Sequence, residues 1–168
     1  EELEEYLLWV LKLIDSPRIQ RSTEENLAVW EKGWQENLDL LVSGAPPAEA
    51  LKPKYFRGSK FLRYNRGLLV TGNKDLEYDL FRLQRYCLFT KFLSDGAAIC
   101  EVGCGSCQNL LMLSDMFPNT PLVGLDWTRS SVGIMETLAS GLGRKVQGRR
   151  FDMMNPDPNL SLPSNSAI

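Results

Sequence analysis

The sequence contains no histidine, which removes the commonest general base and the commonest metal ligand from its possible chemistry. It has no apolar run near the roughly 20 residues that span a bilayer. It also lacks an excess of positive charge, because its formal net charge is -2. The first ten residues are acidic where a secretory signal is basic. We therefore expect a cytoplasmic protein with no metal site and no membrane or dedicated nucleic-acid partner.

The cysteines are unevenly placed along the chain. The four cysteines are Cys87, Cys100, Cys104 and Cys107, and the last three lie within eight residues. A secreted disulfide framework usually spreads its cysteines through a short chain, so this clustering favours reduced thiols.

Residues 1–93 predict a mainly helical N-terminal region. Helices are expected over 1–15, after a capping box of Ser22 and Glu25, and over 75–93. Residues 44–53 predict a linker, and 54–72 predict short extended pieces around a turn at 65–67. Trp30 and Trp34 lie one turn apart in the second helix, where core packing is favoured over stacking on a ligand.

From residue 94 onward the pattern changes to alternating strands and helices. Strands are expected at 97–102, 122–126 and 145–152, and helices at 108–117 and 130–140. Such alternation indicates parallel strands joined by right-handed crossovers. We predict an α/β fold: a Rossmann-like, doubly wound parallel sheet, incomplete after three strands. The last residues resemble the start of a fourth strand, so we expect a fragment of a longer protein.

The first of these strands runs into a Gly-x-Gly loop that opens a helix, with Glu101 two residues before Gly103 and Gly105 after it. Glycines there allow a tight turn and a close ligand. A carboxylate beside this loop would repel a pyrophosphate. It suits S-adenosylmethionine, which carries an ammonium and a sulfonium.

Two more acids end the next two strands. Asp126 lies about 20 residues past the loop, the place of a ribose-binding acid in nucleotide sites. Asp152, beside Met153, suits an adenine amino group held against an apolar wall. Each acid also has a structural interpretation: Glu101 bonded by loop amides, Asp126 capping the turn before Thr128, and Asp152 in an Asx turn.

Residues 97–155 resemble the first half of the class I S-adenosylmethionine-dependent methyltransferases. Their acid-x-Gly-x-Gly-x-Gly motif is EVGCGSC here, with Cys107 in place of the third Gly. The resemblance implies S-adenosylmethionine as cofactor, a ribose role for Asp126 and an adenine role for Asp152 with Met153. The candidate cofactor-binding residues are Glu101, Gly103, Cys104, Gly105, Asn109, Asp126, Trp127, Asp152 and Met153, and Arg63 is added from the basic stretch described below.

The chain is also similar to bacterial methyltransferases that act on sugars or other small molecules. This similarity implies a small-molecule acceptor, such as a sugar methylated on oxygen. Residues 1–93 would then form a cap on the substrate side, and 94–168 the cofactor-binding domain. The sequence identifies no catalytic base, because the family usually supplies it after the fourth strand.

Two other functions stay open. Cys100, Cys104 and Cys107 have the Cys-x3-Cys-x2-Cys spacing of the radical S-adenosylmethionine enzymes, whose thiolates hold an iron–sulfur cluster. The apolar strand around Cys100 and the two loop glycines argue against that interpretation. A degenerate, non-catalytic interaction module is the other alternative.

Residues 52–66 combine six basic residues with four aromatic ones and contain no acid. Such a stretch suits RNA, a phosphate or the cofactor carboxylate, for which Arg63 is our candidate. A solvated face that balances the acidic helices is the favoured alternative.

Overall fold

The computed structural model describes residues 2–15, 22–56, 61–65, 67–94 and 96–160, without the side chains of Glu2, Leu13, Arg63 and Leu68. The N-terminal half contains α1 (Glu2–Ile14), α2 (Thr23–Val42), α3 (Pro47–Ala50), a 3-10 turn (Lys54–Phe56), β1 (Phe61–Tyr64), β2 (Gly67–Val70) and α4 (Leu76–Phe92). The second half contains β3 (Ile99–Val102), α5 (Gln108–Met116), β4 (Leu122–Asp126), α6 (Arg129–Leu142) and β5 (Val146–Arg150).

Helix α2 begins at the predicted capping box. The Glu25 amide donates to the Ser22 hydroxyl at 3.2 Å, and the Ser22 amide donates to the Glu25 carboxylate at 2.8 Å. Both bonds satisfy amides that have no partner within the helix. The predicted helix start is therefore confirmed.

The segment predicted as a linker is packed into the fold. Ala50 and Leu51 are fully buried, and the Asn37 side-chain amide donates to the carbonyls of Ala50 and Lys52. Pro47 takes the first turn of α3, where its missing amide costs nothing. Prolines that indicated a linker instead start a short helix, and the prediction of a linker at 44–53 is wrong.

The predicted extended pieces and the first predicted helix of the N-terminal half are both present. Strands β1 and β2 pair as an antiparallel hairpin around the predicted turn, where Asn65 has a φ of 48°. Helix α1 forms as expected, but several of its apolar residues, such as Leu3 and Ile14, are exposed. None of the helices in the described ranges is long and apolar enough to cross a bilayer.

The three strands predicted in the second half form one parallel sheet in the order β3-β4-β5. Val102 lies beside Leu125 and Asp126 beside Arg150, so the three carboxyl ends meet at one edge. The coarse prediction of an α/β protein with a parallel sheet is confirmed.

The two faces of this sheet are covered differently. Apolar residues of both α5 and α6, including Leu110 and Met135, share one buried cluster with Leu122 of β4. The opposite face carries Val123 and Leu125, packed against segments that follow β5. Both crossover helices thus lie on one face within the described residues, and a doubly wound arrangement stays a prediction.

Helix α2 packs across α6 and forms a second layer over the sheet. A Cβ built on Gly133 of α6 would lie 2.9 Å from Leu38 of α2, so the glycine allows close approach of the two helices. Trp34 and Leu41 of α2 belong to the same buried cluster as α5 and α6. This packing brings α2 to the edge where the strands end.

Candidate functional site

A cavity of about 310 Å³ opens at the carboxyl ends of the three parallel strands. Open α/β sheets bind ligands at this edge. Its lining combines residues at the end of each strand or in the loop after it with side chains of α2: Trp30, Trp34, Val102, Gly103, Gly105, Asp126, Trp127, Phe151, Asp152, Met153 and Met154.

The loop after β3 has the backbone that its glycines predict. Gly103 and Gly105 have φ values of 72° and 52°, which L side chains adopt only with strain. The Gly103 amide donates to the Leu125 carbonyl at 2.7 Å, which ties the loop to β4. A Cβ on Gly103 would meet no described atom within 4 Å, so a ligand has free approach there.

Gly105 is covered by an indole ring. A Cβ on Gly105 would lie 2.9 Å from Cζ2 of Trp34, so this glycine leaves the space that the ring occupies. Trp30 stacks on Trp34 with ring centroids 5.3 Å apart and an angle of 22° between planes. Trp34 therefore packs in the core, as its spacing favours, and also lines the cavity.

Asp126 is buried, and its carboxylate holds the site together. One oxygen accepts from the Gly105 amide at 2.9 Å. The other accepts from the amide and hydroxyl of Thr128 at 2.9 and 2.6 Å. The turn-capping interpretation of Asp126 is thus realised, and about one of the roughly four acceptor positions of a carboxylate remains for a ligand.

Asp152 lies two residues beyond β5 and lines the cavity. Its carboxylate accepts from the Met154 amide at 2.9 Å, which is the Asx turn considered as its structural interpretation. Met153 is 70% exposed and leaves an apolar surface beside it. The turn fixes the direction of the Asp152 side chain without using its second oxygen.

Glu101 does not line the cavity but lies behind the glycine loop. Its Oε1 accepts from the Asn109 side-chain amide at 2.7 Å, and its Oε2 is buried without a hydrogen-bond partner among the described residues. Burial raises the pKa of Glu101 to about 7, against the Asn109 bond and the charge of Arg85, which lower it. A side-chain amide, not the loop amides considered from sequence, bonds one oxygen of this acid.

The raised pKa of Glu101 predicts a specific pH dependence of stability. Its pKa is about 7 in the folded protein and 4.5 as its ordinary value, so the folded state binds more protons between these limits. The free energy of unfolding should therefore fall between pH 4.5 and 7, by on the order of 2–3 kcal/mol from this group.

The measurement is denaturant unfolding from pH 4 to 8 of the protein and of Glu101→Gln. The difference between the two curves isolates this carboxyl from the other acids. A difference that stays constant across the range would contradict the assignment.

The three clustered cysteines do not converge. Cys100 faces Val123 and Leu125 on one side of the sheet, whereas Cys104 and Cys107 pack on the helix side, with their sulfurs 3.9 Å apart. The Cys104 sulfur contacts Met135 at 3.8 Å and so points into the core, away from the cavity. In the described ranges, no three or more Cys, His, Asp or Glu side chains are placed so that they could hold a metal ion. The iron–sulfur alternative is therefore not favoured.

Cys107 replaces the third glycine of the motif at a demanding position. It stands at the N-cap position of α5 without a side-chain capping bond, and its φ of 61° is a conformation that favours glycine. Its side chain is fully buried, and burial raises the pKa of its thiol well above the ordinary value. This position therefore constrains both the backbone conformation and the packing of the side chain.

The charged side chains in the described lining of the cavity are all acidic. Among the described residues the lining contains two carboxylates and no lysine or arginine. Within the basic stretch, Lys52 is buried and pairs with Asp75, and Lys54 pairs with Glu36 at 2.7 Å. Residues 57–60 and 66 and the Arg63 side chain lie outside the described residues, so the carboxylate role of Arg63 stays a prediction. The described lining favours a cationic or neutral ligand over a phosphate.

The structure brings together six of the ten predicted cofactor residues in the cavity: Gly103, Gly105, Asp126, Trp127, Asp152 and Met153. Asn109 lies with Glu101 behind the loop. Val102, Phe151 and Met154 were missed, although each is adjacent in sequence to a predicted residue. The two α2 tryptophans come from about 70 residues away, and their spacing alone does not distinguish a core stripe from a lining.

The chain matches no protein-family model and no curated protein sequence. Among solved structures it is similar to coclaurine N-methyltransferase bound to N-methylheliamine and SAH, at a TM-score of 0.47 and 18% identity. The match covers 90% of this chain and 46% of that one, so the chain spans about half the length of that enzyme. A similarity this low carries no argument about function.

Proposed function

We propose that this protein binds S-adenosylmethionine in the cavity at the strand ends and belongs to the class I methyltransferases. The observation that carries the proposal is the composition of the described lining: two carboxylates, three tryptophans and two methionines, without any cation, around a Gly-x-Gly loop. A sulfonium is favoured by carboxylates and aromatic faces, whereas a dinucleotide pyrophosphate is repelled by them.

In this proposal each strand end contributes one part of the cofactor site. The remaining acceptor position of Asp126 receives a ribose hydroxyl, and Asp152 accepts from the adenine amino group beside Met153. The open backbone at Gly103 lets the cofactor approach the loop. Glu101 and Asn109 do not line the cavity; they bond to each other beside the glycine loop, and the Glu101 carboxyl also interacts with the charge of Arg85.

Methyl transfer is an in-line displacement at the sulfonium, so the residues contribute mainly by holding donor and acceptor aligned. The tryptophan pair of α2 excludes water from one side of the loop. We propose a small-molecule acceptor, with a sugar hydroxyl as the specific candidate, bound under a cap formed by residues 1–93. We assign no general base, and we propose that the 168-residue chain alone is inactive.

The test is a calorimetric titration of S-adenosylhomocysteine into the longest obtainable form of the protein. We expect micromolar binding to one site per chain. ATP is the matched control: it shares the adenosine but carries phosphates, and it should bind at least about tenfold more weakly to a lining of this charge.

Two results would contradict the proposal. If the longest form does not bind S-adenosylhomocysteine, the site is not a methyltransferase site, and an interaction module becomes the better account. If ATP binds as tightly as S-adenosylhomocysteine, the lining does not select against phosphates.

A further inference from the structure

The carboxylate of Glu31 links helix α2 to the first turn of α6 by hydrogen bonds. Glu31 accepts from the Arg129 amide at 2.8 Å and from the Ser130 amide at 2.7 Å, through its two oxygens. The Ser130 hydroxyl also donates to the Glu31 carboxylate and lies 3.0 Å from Gln35 Oε1. A carboxylate suits the N-terminus of a helix because the free amides there carry partial positive charge.

This arrangement is unusual because the cap comes from 98 residues away in the chain. The α6 N-terminus already has a local cap, since the Thr128 hydroxyl accepts from the Ser131 amide at 3.3 Å. Burial acts to raise the pKa of Glu31, but the bonds from Ser130 and Arg129 outweigh it and lower that pKa below its ordinary value. Glu31 is thus ionised at neutral pH.

Neighbours of this contact line the cavity, both on α2 and in the turn before α6. Trp30 is adjacent to Glu31 and Trp34 is almost one helical turn further on, against Gly105. From Thr128, hydrogen bonds continue to Asp126 and then to the Gly105 amide. The contacts therefore form a continuous path from Glu31 through the start of α6 to Asp126 and Gly105. The path returns to α2 through Trp34, whose ring covers Gly105.

We propose that Glu31 is a positioning residue, whose contact with Arg129 and Ser130 holds the Trp30–Trp34 pair over the glycine loop and so sets the affinity of the cavity for its ligand. Glu31 does not line the cavity, and it acts through the position of α2. The inference rests on the proposed function for the identity of the ligand, and on the geometry of the free protein for the position of the indoles.

The test compares Glu31→Gln with Glu36→Gln, a matched control on the same helix. The Glu36 carboxylate binds Lys54 at 2.9 and 2.7 Å, so its ion pair ties α2 to the 3-10 turn rather than to the α6 N-terminus. Both variants are made in a Trp9→Phe background, so that Trp30, Trp34 and Trp127 of the cavity give the fluorescence.

Two readouts are measured: acrylamide quenching of the free protein and the dissociation constant for S-adenosylhomocysteine. We expect Glu31→Gln to increase quenching at least about 1.5-fold and to weaken binding about 5- to 10-fold, and Glu36→Gln to change neither. Ser130→Ala should give a smaller change in the same direction, and its effect should largely disappear in the Glu31→Gln background.

The two proposals fail in different ways. If Glu31→Gln folds but its quenching and affinity equal those of Glu36→Gln, the positioning role is wrong whatever the ligand is. If the parent protein binds no S-adenosylhomocysteine while quenching still rises in Glu31→Gln, the positioning of the indoles stands and the proposed function falls. If Glu31→Gln does not fold, Ser130→Ala supplies the same comparison.

Discussion

Replacing Gly105 by alanine is expected to abolish binding of S-adenosylhomocysteine and to lower the free energy of unfolding by about 3 kcal/mol. Two costs add: roughly 1–2 kcal/mol for an L side chain at a φ of 52°, and about 1–3 kcal/mol for a methyl group forced against the Trp34 ring. Denaturant unfolding and calorimetric titration measure the two effects.

Gly103→Ala is the matched control because the two glycines share a positive φ but differ in their surroundings. A Cβ on Gly103 would meet no described atom within 4 Å, so only the backbone cost of about 1–2 kcal/mol applies. The larger loss in Gly105→Ala should shrink when Trp34 is replaced by leucine. Equal losses in the two alanine variants would show that the Trp34 ring does not press on the loop.

Removing the carboxylate of Asp126 should be the second large effect. Asp126→Ala leaves the Gly105 amide and both donors of Thr128 without their acceptor in a buried place. We expect a loss of about 2–4 kcal/mol in the free energy of unfolding, because hydrogen bonds to charged groups contribute about 1.5–3 kcal/mol each and are not additive. Binding of S-adenosylhomocysteine should be lost as well.

A second variant separates the structural part of this effect from the ligand contact. Thr128→Val removes the hydroxyl that donates to Asp126 and also accepts from the Ser131 amide as the cap of α6, and it leaves the bond to Gly105 intact. It should cost about 1–3 kcal/mol of stability, because a hydrogen bond to a carboxylate and a helix cap are both lost, and leave the dissociation constant within about threefold. A stability change below about 0.5 kcal/mol in Asp126→Ala would contradict the bonding described for this acid.

The second half of the fold could be predicted because local signals agree there. The strand β4, Leu122–Asp126, is a short apolar run bounded by a proline and a turn, and it is buried along its whole length. The glycine loop and the acids after it follow in a fixed order, so the edge where they meet follows from parallel pairing. Ser22 and Glu25 likewise determine a helix start by themselves.

The remaining features depend on contacts between distant segments. No local pattern distinguishes a buried helical turn at Pro47–Ala50 from a linker, because its burial depends on the amide of Asn37. The apolar spacing of Trp30 and Trp34 is the same whether the rings face a core or a cavity. The Glu31 cap could not be predicted at all, since one surface acid on an acidic helix resembles any other.

The most direct test of the central claim is hydrogen–deuterium exchange of the longest form of the protein with and without S-adenosylhomocysteine. We expect slower exchange in three segments far apart in sequence, 102–106, 126–128 and 151–154, together with the tryptophan turn of α2. Each of these segments contributes residues to the lining of the cavity at the strand ends. Unchanged exchange in all of them, or protection confined to another part of the chain, would contradict the placement of the cofactor site.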